Sequence, residues 1–263
     1  MRISYSAFHD WSFKQVDILK HKGVECKEGY SKIVFDKNSF SSSIISLLDE
    51  WKVKYFVATD FEKKDYLSSD YFVYVGLWEN GYPQPEDVEG YVNAVYDTKN
   101  LCRKCGIGAI QKSSFTLKRE PLWKKRKLFE LIWVLDEIFV EIDFYGNIFK
   151  PLGIACKNVK LLNKSGVASN VVQLVIPQTK TTLNLEATQY EMCTVCNSKK
   201  YSPQIEGFFP KFKDAENLNY DIFKTTEFFG SGAEAHNKII VSKKLRDMLF
   251  DNLQYVKSWP VLK

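Results

Sequence analysis

Four of the six cysteines form two pairs with the spacing that metal-binding turns use. The pairs are Cys102 with Cys105 and Cys193 with Cys196, both C-x-x-C. Six cysteines in 263 residues would give roughly 0.1 such pairs by chance. Thiolates at this spacing bind tetrahedral Zn²⁺, and four of them leave no coordination position open. The sequence therefore predicts one structural zinc site made by these four cysteines.

The two pairs lie far apart along the chain, separated by the 87 residues 106–192. Closing a loop of this length costs roughly 1.5 kcal/mol more than closing a 17-residue loop. That is small beside the roughly 10 to 16 kcal/mol of apparent zinc-binding free energy. Gly106 and Asn197 follow the pairs, and both residue types readily adopt a left-handed backbone. Four cations could offset thiolate charge or be ordinary surface charge: Arg103, Lys104, Lys199 and Lys200.

Three other uses of the paired cysteines stay open, namely two redox dithiols, an iron–sulfur cluster and buried thiols. A thioredoxin-like pair should begin a helix, but Gly106 and Gly108 follow the first pair and are poor helix formers. Cys26 and Cys156 stand alone in the sequence. We expect both to be small buried residues.

Residues 118–127 could contact nucleic acid. The segment holds six cations and one aromatic ring: Lys118, Arg119, Trp123, Lys124, Lys125, Arg126 and Lys127. Such a segment can bind phosphates and stack a base. The alternative is a solvated surface segment whose Leu122 and Trp123 pack inward.

Two acidic residues in an apolar segment are candidates for acid–base chemistry. Asp136 and Glu137 lie among large apolar side chains, where desolvation could raise a pKa and create a general acid. The alternative is a pair that faces water or caps a helix. The segment 230–236 could bind an anion at a helix N-terminus or form a turn.

The pattern of apolar residues predicts an α+β protein. Six short runs are typical of strands: residues 33–35, 55–57, 71–75, 91–95, 171–176 and 181–186. Residues 39–51 have the spacing of an amphipathic helix. A shift of 101 positions aligns 138–152 with 239–253, and both segments are expected to be a strand followed by a helix. We expect a mixed-sheet N-terminal subdomain at 1–100 and a zinc-stapled α+β domain at 101–263.

Composition favours a soluble intracellular protein. The chain is 45% hydrophobic and carries a net charge of +5, so it can bury a core and allows acidic partners without requiring them. The N-terminus lacks the apolar run of a signal peptide. The most apolar run, 131–142, contains three acidic residues and is too short to cross a bilayer. We expect a cytoplasmic location and no membrane association.

The two C-x-x-C turns, the segment 239–242 and the closing Trp259-Pro260-Val261 resemble the bacterial double-CXXCG motif proteins, of the kind found as paralogues in myxobacteria. The resemblance covers residues 101–263, and this chain has Asn197 where the family motif has glycine. It implies a non-catalytic intracellular zinc-binding protein that acts by binding another protein, with an immunity protein that neutralises a cognate toxin as one candidate role. The alternatives are a zinc-ribbon nucleic-acid binder that uses residues 118–127, and an enzyme that uses Asp136 and Glu137.

Overall fold

The chain folds into two compact units. The computed structural model describes residues 1–162, 166–203, 206–253 and 256–263. One unit comprises Met1–Ser68 with Gln204–Phe208, and the other Ser69–Pro203 with Phe209–Lys263. Helices and strands are mixed throughout, which confirms the α+β class. The expected boundary at residue 100 lies inside the larger unit, because the strand at Tyr71–Gly76 pairs with two C-terminal strands.

The smaller unit is a three-stranded antiparallel sheet with helices. Its elements are β1 (Arg2–Trp11), α1 (Phe13–His21), β2 (Gly29–Asp36), α2 (Ser41–Glu50), β3 (Tyr55–Asp60) and α3 (Lys63–Ser68). The sheet order is β2-β1-β3. Alternate residues of the strands pack with the helices around Trp11, Ile33 and Leu48, which are almost fully buried. The opposite residues of each strand are left on an open face.

The larger unit contains a five-stranded and a six-stranded sheet. Its strands are β4 (Tyr71–Gly76), β5 (Tyr96–Asp97), β6 (Ile110–Gln111), β7 (Thr116–Leu117), β8 (Leu128–Leu131), β9 (Val134–Glu141), β10 (Cys156–Leu161), β11 (Val167–Leu174), β12 (Tyr190–Met192), β13 (Lys199–Tyr201), β14 (Ile222–Phe229), β15 (His236–Ser242) and β16 (Val256–Pro260). Its helices are α4 (Val88–Val95), α5 (Ile142–Phe144) and α6 (Lys243–Asn252). The sheet orders are β7-β10-β11-β9-β8 and β12-β13-β14-β15-β4-β16, and β5 pairs with β6 alone.

Most predicted elements are present, and two predicted strands are not. Residues 91–95 belong to helix α4, because the Asp87 side chain accepts from the Gly90 amide at the helix start and Tyr91 and Val95 are both buried one turn apart. Residues 181–186 form no regular strand; Leu183 makes an isolated bridge with Phe212.

Both segments aligned by the 101-residue shift are a strand followed by helical turns, as predicted. Strand β9 leads into α5 and then into a π-helical turn at Tyr145–Phe149. Strand β15 leads in the same way into α6. Phe144 and Leu245, which the shift aligns, are both buried. In the described part of the chain, none of the helices combines the length and apolar character that spanning a bilayer requires.

Candidate metal centre

Each cysteine pair lies at the end of a short antiparallel hairpin. Strands β5 and β6 pair through Asp97 and Ile110, and the first pair lies in the loop between them. Strands β12 and β13 pair through Met192 and Lys199, and the second pair lies in that tighter loop. The 87 intervening residues contain the five-stranded sheet, so a folded structure brings the two turns together.

The two turns have the same backbone hydrogen bonds. The Gly106 amide donates to the Cys102 carbonyl at 2.8 Å, and the Asn197 amide donates to the Cys193 carbonyl at 2.9 Å. Gly106 has φ +80° and Asn197 has φ +57°, which confirms the left-handed backbone predicted for both. The two cysteine turns are therefore alike in conformation despite having no residue in common beyond the cysteines.

The four sulfur atoms converge on one point. All four Sγ atoms lie within 4.8 Å of one another. Cys102 and Cys193 are 3.7 Å apart, and Cys105 and Cys196 are 3.5 Å apart. These separations are far longer than the roughly 2.05 Å of a disulfide. Three of the cysteines are buried and Cys196 is exposed, so the cluster can hold a metal ion with one side near solvent.

The polypeptide favours thiolates at the second turn. The hydroxyl and the amide of Ser198 lower the pKa of Cys196 to about 6. The amides of Cys196 and Val195 lower the pKa of Cys193. Burial raises the pKa of Cys105 to about 12, an effect that a bound divalent cation reverses because coordination deprotonates a thiol.

Lys200 is a buried cation beside the first turn. Its side chain is almost fully buried, and its Nζ donates to the carbonyl of Cys105 at 3.2 Å and to that of Glu234 at 3.0 Å. A third acceptor is the Gly232 carbonyl. Lys200 therefore joins β13, the first turn and the 230–236 loop. The sequence analysis expected this lysine either to offset thiolate charge or to be an ordinary surface residue. Lys199 and Lys200 are adjacent lysines, so the sequence does not indicate that Lys199 is exposed and Lys200 is buried.

The other three cations near the cysteines are on the surface. Lys104 donates to the Thr194 hydroxyl at 2.6 Å and so links the two turns. Arg103 forms an exposed ion pair with Glu89. Lys199 lies over the Tyr190 ring.

The 230–236 loop is a turn between β14 and β15, with no helix after it. The expected alternative of an anion site at a helix N-terminus therefore has no helix to form it. The loop instead supports the metal centre, because the Ala233 carbonyl lies directly against Gly106.

Asp136 and Glu137 lie in a buried ion pair on β9. The Nζ of Lys224 is 2.6 Å from Glu137 Oε1 and 3.4 Å from Asp136 Oδ2. The Gln173 amide donates to the other Glu137 oxygen at 2.8 Å. Burial raises the pKa of Glu137, as the sequence predicted, although the Lys224 charge opposes the shift. Two carboxylates bound by a buried lysine form a structural network between the two sheets.

The basic segment 118–127 divides into structural and free parts. Trp123 is 7% exposed and its indole N–H donates to the Asn170 carbonyl, so its ring belongs to the core. Leu122 is 74% exposed, contrary to the inward packing considered for it. Lys127 pairs with Glu141 and Lys118 with Glu86. The remaining cations line a large cavity: Arg119, Lys124, Lys125 and Arg126.

The two single cysteines lie outside the metal centre. Cys26 is buried in the core of the smaller unit, as expected, and burial raises its pKa. Cys156 is only partly buried at the start of β10.

No family model, no curated protein and no solved structure matches this chain. The geometry of its own residues is therefore the basis for a functional assignment.

Proposed function

We propose that the four-cysteine cluster binds one Zn²⁺ ion as a structural site, and that the protein acts without catalysis by binding another protein. The observation that carries the metal assignment is the mutual approach of the four Sγ atoms within 4.8 Å. Sulfur ligands about 2.3 Å from a tetrahedral zinc would be about 3.8 Å apart. The two Sγ pairs at 3.7 and 3.5 Å are close to that value.

A structural role for the ion follows from the ligand set. Four protein thiolates fill all the positions of tetrahedral zinc, so neither water nor substrate can be coordinated. The ion would join the β5–β6 hairpin to the β12–β13 hairpin and thereby fix both ends of the 87-residue segment between them. Iron also accepts four thiolates, and metal analysis distinguishes the two.

Metal content tests this assignment directly. We expect about one zinc and no iron in the purified chain. Cys193→Ser and Cys102→Ser should lose the metal, whereas Cys26→Ser, which alters a buried thiol outside the cluster, should keep it. Zinc well below one equivalent in the wild-type protein, or retained by both cluster variants, would remove the proposal.

An exposed apolar sheet face in the smaller unit supports the binding role. Ser6 of β1 is opposite Val34 on one side and Phe56 on the other, and Phe8 lies two residues further on the same face. Phe8, Val34 and Phe56 are 49%, 50% and 57% exposed. Adjacent apolar side chains on an open face are typical of a protein-interaction surface.

The partner class that we propose is a toxin encoded beside this protein, which is what the family resemblance implies. Co-expression with the product of a neighbouring gene should give a stable complex in size-exclusion chromatography. Replacing Phe8, Val34 and Phe56 with serine should abolish the complex. Replacing Phe13 and Phe40, which are also exposed apolar residues of this unit but lie off the strands, should not. A complex that survives the first set, or the absence of any complex, would contradict the proposal.

A further inference from the structure

The basic segment lines a cavity of ≈ 1050 Å³ in the larger unit. One wall is the loop between β7 and β8, and the other is the segment that follows β4, including Trp78 and Tyr82. This volume is at the upper end of the roughly 300 to 1,000 Å³ of small-ligand sites. The cavity is therefore large enough for a ligand of several linked groups.

Charge in the cavity is strongly positive. Among the described residues, five cations and two acidic residues, Glu86 and Glu120, line the cavity, so the net charge of this lining is +3. Glu86 pairs with Lys118, and Glu120 accepts from the Ser169 amide at 2.7 Å. Arg119, Lys124 and Lys125 have no ion pair within the described residues. Three unpaired cations around one cavity favour an anionic ligand with several charges.

A cation–π pair within the cavity favours an aromatic group on that ligand. The Arg126 guanidinium lies over the Trp78 ring, 4.7 Å from its centroid. Trp78 is held edge-to-face by Trp123 at 5.9 Å and by Phe129 at 5.5 Å, so the ring beneath the Arg126 guanidinium is fixed by its neighbours. The outer side of a guanidinium plane is a surface on which nucleobases stack.

Lys124 occupies a backbone position that disfavours lysine. It has φ +47° in the turn that the Arg126 amide closes on the Trp123 carbonyl at 2.7 Å. Asparagine and glycine adopt this conformation more readily. A cation is thus kept at the cavity where the turn itself favours a smaller residue, which is a recognised mark of functional positions.

We propose that this cavity binds nucleotide units, with phosphates on Arg119, Lys124 and Lys125 and a base stacked on Arg126. The source is a single-stranded nucleic acid, since three separate unpaired cations can contact successive phosphates of one strand. A free nucleotide offers the same chemistry and is distinguished by experiment. A double helix has its bases stacked internally, so it cannot offer one to Arg126.

Binding is tested by fluorescence anisotropy with labelled RNA and DNA single strands of about 12 nucleotides, using the full zinc-loaded chain. Three phosphate contacts predict a slope of about −2 for log affinity against log salt, hence about a 20-fold loss between about 50 and 200 mM salt. The variant Arg119→Gln, Lys124→Asn, Lys125→Gln should bind weakly and lose that slope. The matched control is Lys180→Gln, Lys244→Gln, Lys257→Gln, which removes the same charge from exposed positions outside the cavity; it should bind as the wild type does.

Two single variants separate the parts of the site. Arg126→Lys keeps the charge but removes the plane, so affinity should fall at least about fivefold with an unchanged salt slope. Lys124→Asn should weaken binding while leaving the melting temperature unchanged or higher, because it relieves the backbone. A merely structural lysine would not give that combination.

The remaining outcomes decide the source or overturn the proposal. A mononucleotide that binds as tightly as the strand assigns the site to free nucleotides. Equal affinity for duplex and single strand, equal losses in the cavity variant and its control, or no saturable binding of strand or nucleotide would each refute it. None of these results bears on zinc or on the protein-binding face.

Discussion

Replacing Gly106 with alanine tests how closely the first cysteine turn packs on the 230–236 loop. Gly106 has φ +80°, and an added Cβ would lie 2.2 Å from the carbonyl oxygen of Ala233. Gly153 provides a matched control, since its φ is +72° and an added Cβ would meet nothing within 4 Å. The two substitutions therefore share the left-handed backbone and differ in the steric contact.

The magnitudes follow from these two terms. A left-handed backbone costs an L-residue roughly 1 to 2 kcal/mol, and this is the whole expected effect of Gly153→Ala. Overpacking adds roughly 1 to 3 kcal/mol for Gly106→Ala, because the obstructing atom is a backbone oxygen and Lys200 bonds the carbonyls of Gly232 and Glu234 on either side of Ala233. We therefore expect a total of about 2 to 5 kcal/mol at Gly106.

Urea unfolding of the metal-loaded variants measures the difference, with the metal content checked before and after. We expect Gly106→Ala to lower the free energy of unfolding by at least about 1 kcal/mol more than Gly153→Ala. It should also release its bound metal more readily to a chelator, because the clash between the added Cβ and Ala233 displaces the turn that carries Cys102 and Cys105. Equal destabilisation by both variants would refute the close packing inferred for the metal centre.

Three further variants test the buried charges of the larger unit. Lys200→Met leaves three carbonyl acceptors unpaired and should lower the free energy of unfolding by about 3 kcal/mol or more in urea titrations; a loss below about 1 kcal/mol would contradict the assigned bonds. Burial lowers the pKa of His236 to about 4. The neutral His236 side chain therefore contributes up to about 3 kcal/mol to the free energy of unfolding, and this contribution is lost as pH falls from about 6.5 towards 4. Burial raises the pKa of Glu130 to about 7. The protonated Glu130 side chain therefore contributes up to about 3 kcal/mol to the free energy of unfolding below about pH 4.5, and this contribution is lost as pH rises towards 7. The two groups change the free energy of unfolding in opposite directions across pH 5 to 6.5, which is about the range where both titrate. Each variant keeps only the effect of the other group. Stability should therefore fall as pH rises in His236→Gln and increase as pH rises in Glu130→Gln. Parallel pH profiles of the two variants would refute the assignment.

The cysteines were the strongest signal in the sequence, because spacing within each pair is local. A C-x-x-C turn needs only its own few residues and a left-handed position after it, and Gly106 and Asn197 supply that position. The α+β class and most strands were predictable for the same reason, since a run of strand-favouring residues lies within one strand. Convergence of the two turns was inferred from metal chemistry and not from any folding pattern.

Features that depend on distant contacts were not predictable. Residues 91–95 are rich in strand-favouring side chains, but Asp87 begins a helix there and Tyr91 and Val95 are both buried on one helical face. Strand β4 lies between β15 and β16, a pairing across more than 160 positions that places the unit boundary at Ser69 and not near residue 100. The residues of β4 alone do not indicate which distant strands it pairs with.

The cavity in the larger unit also depends on contacts between distant residues, so the sequence predicted only part of it. The charges of the basic segment were evident, but the ring beneath them was not. Trp123, the aromatic residue within the segment, is buried. Trp78, which lies much earlier in the chain, provides the ring under Arg126.

The wide spacing of the two hairpins affects how the protein is made. Cys102 and Cys193 are 91 positions apart, and ribosomes add about 5 to 20 residues per second. The first thiol pair therefore waits roughly 5 to 18 s for the second to be synthesised. During that interval the two thiols of the nascent chain can bind copper(I), or an oxidant can convert them to a disulfide. Correct loading then depends on exchange once the β12–β13 hairpin has left the ribosome.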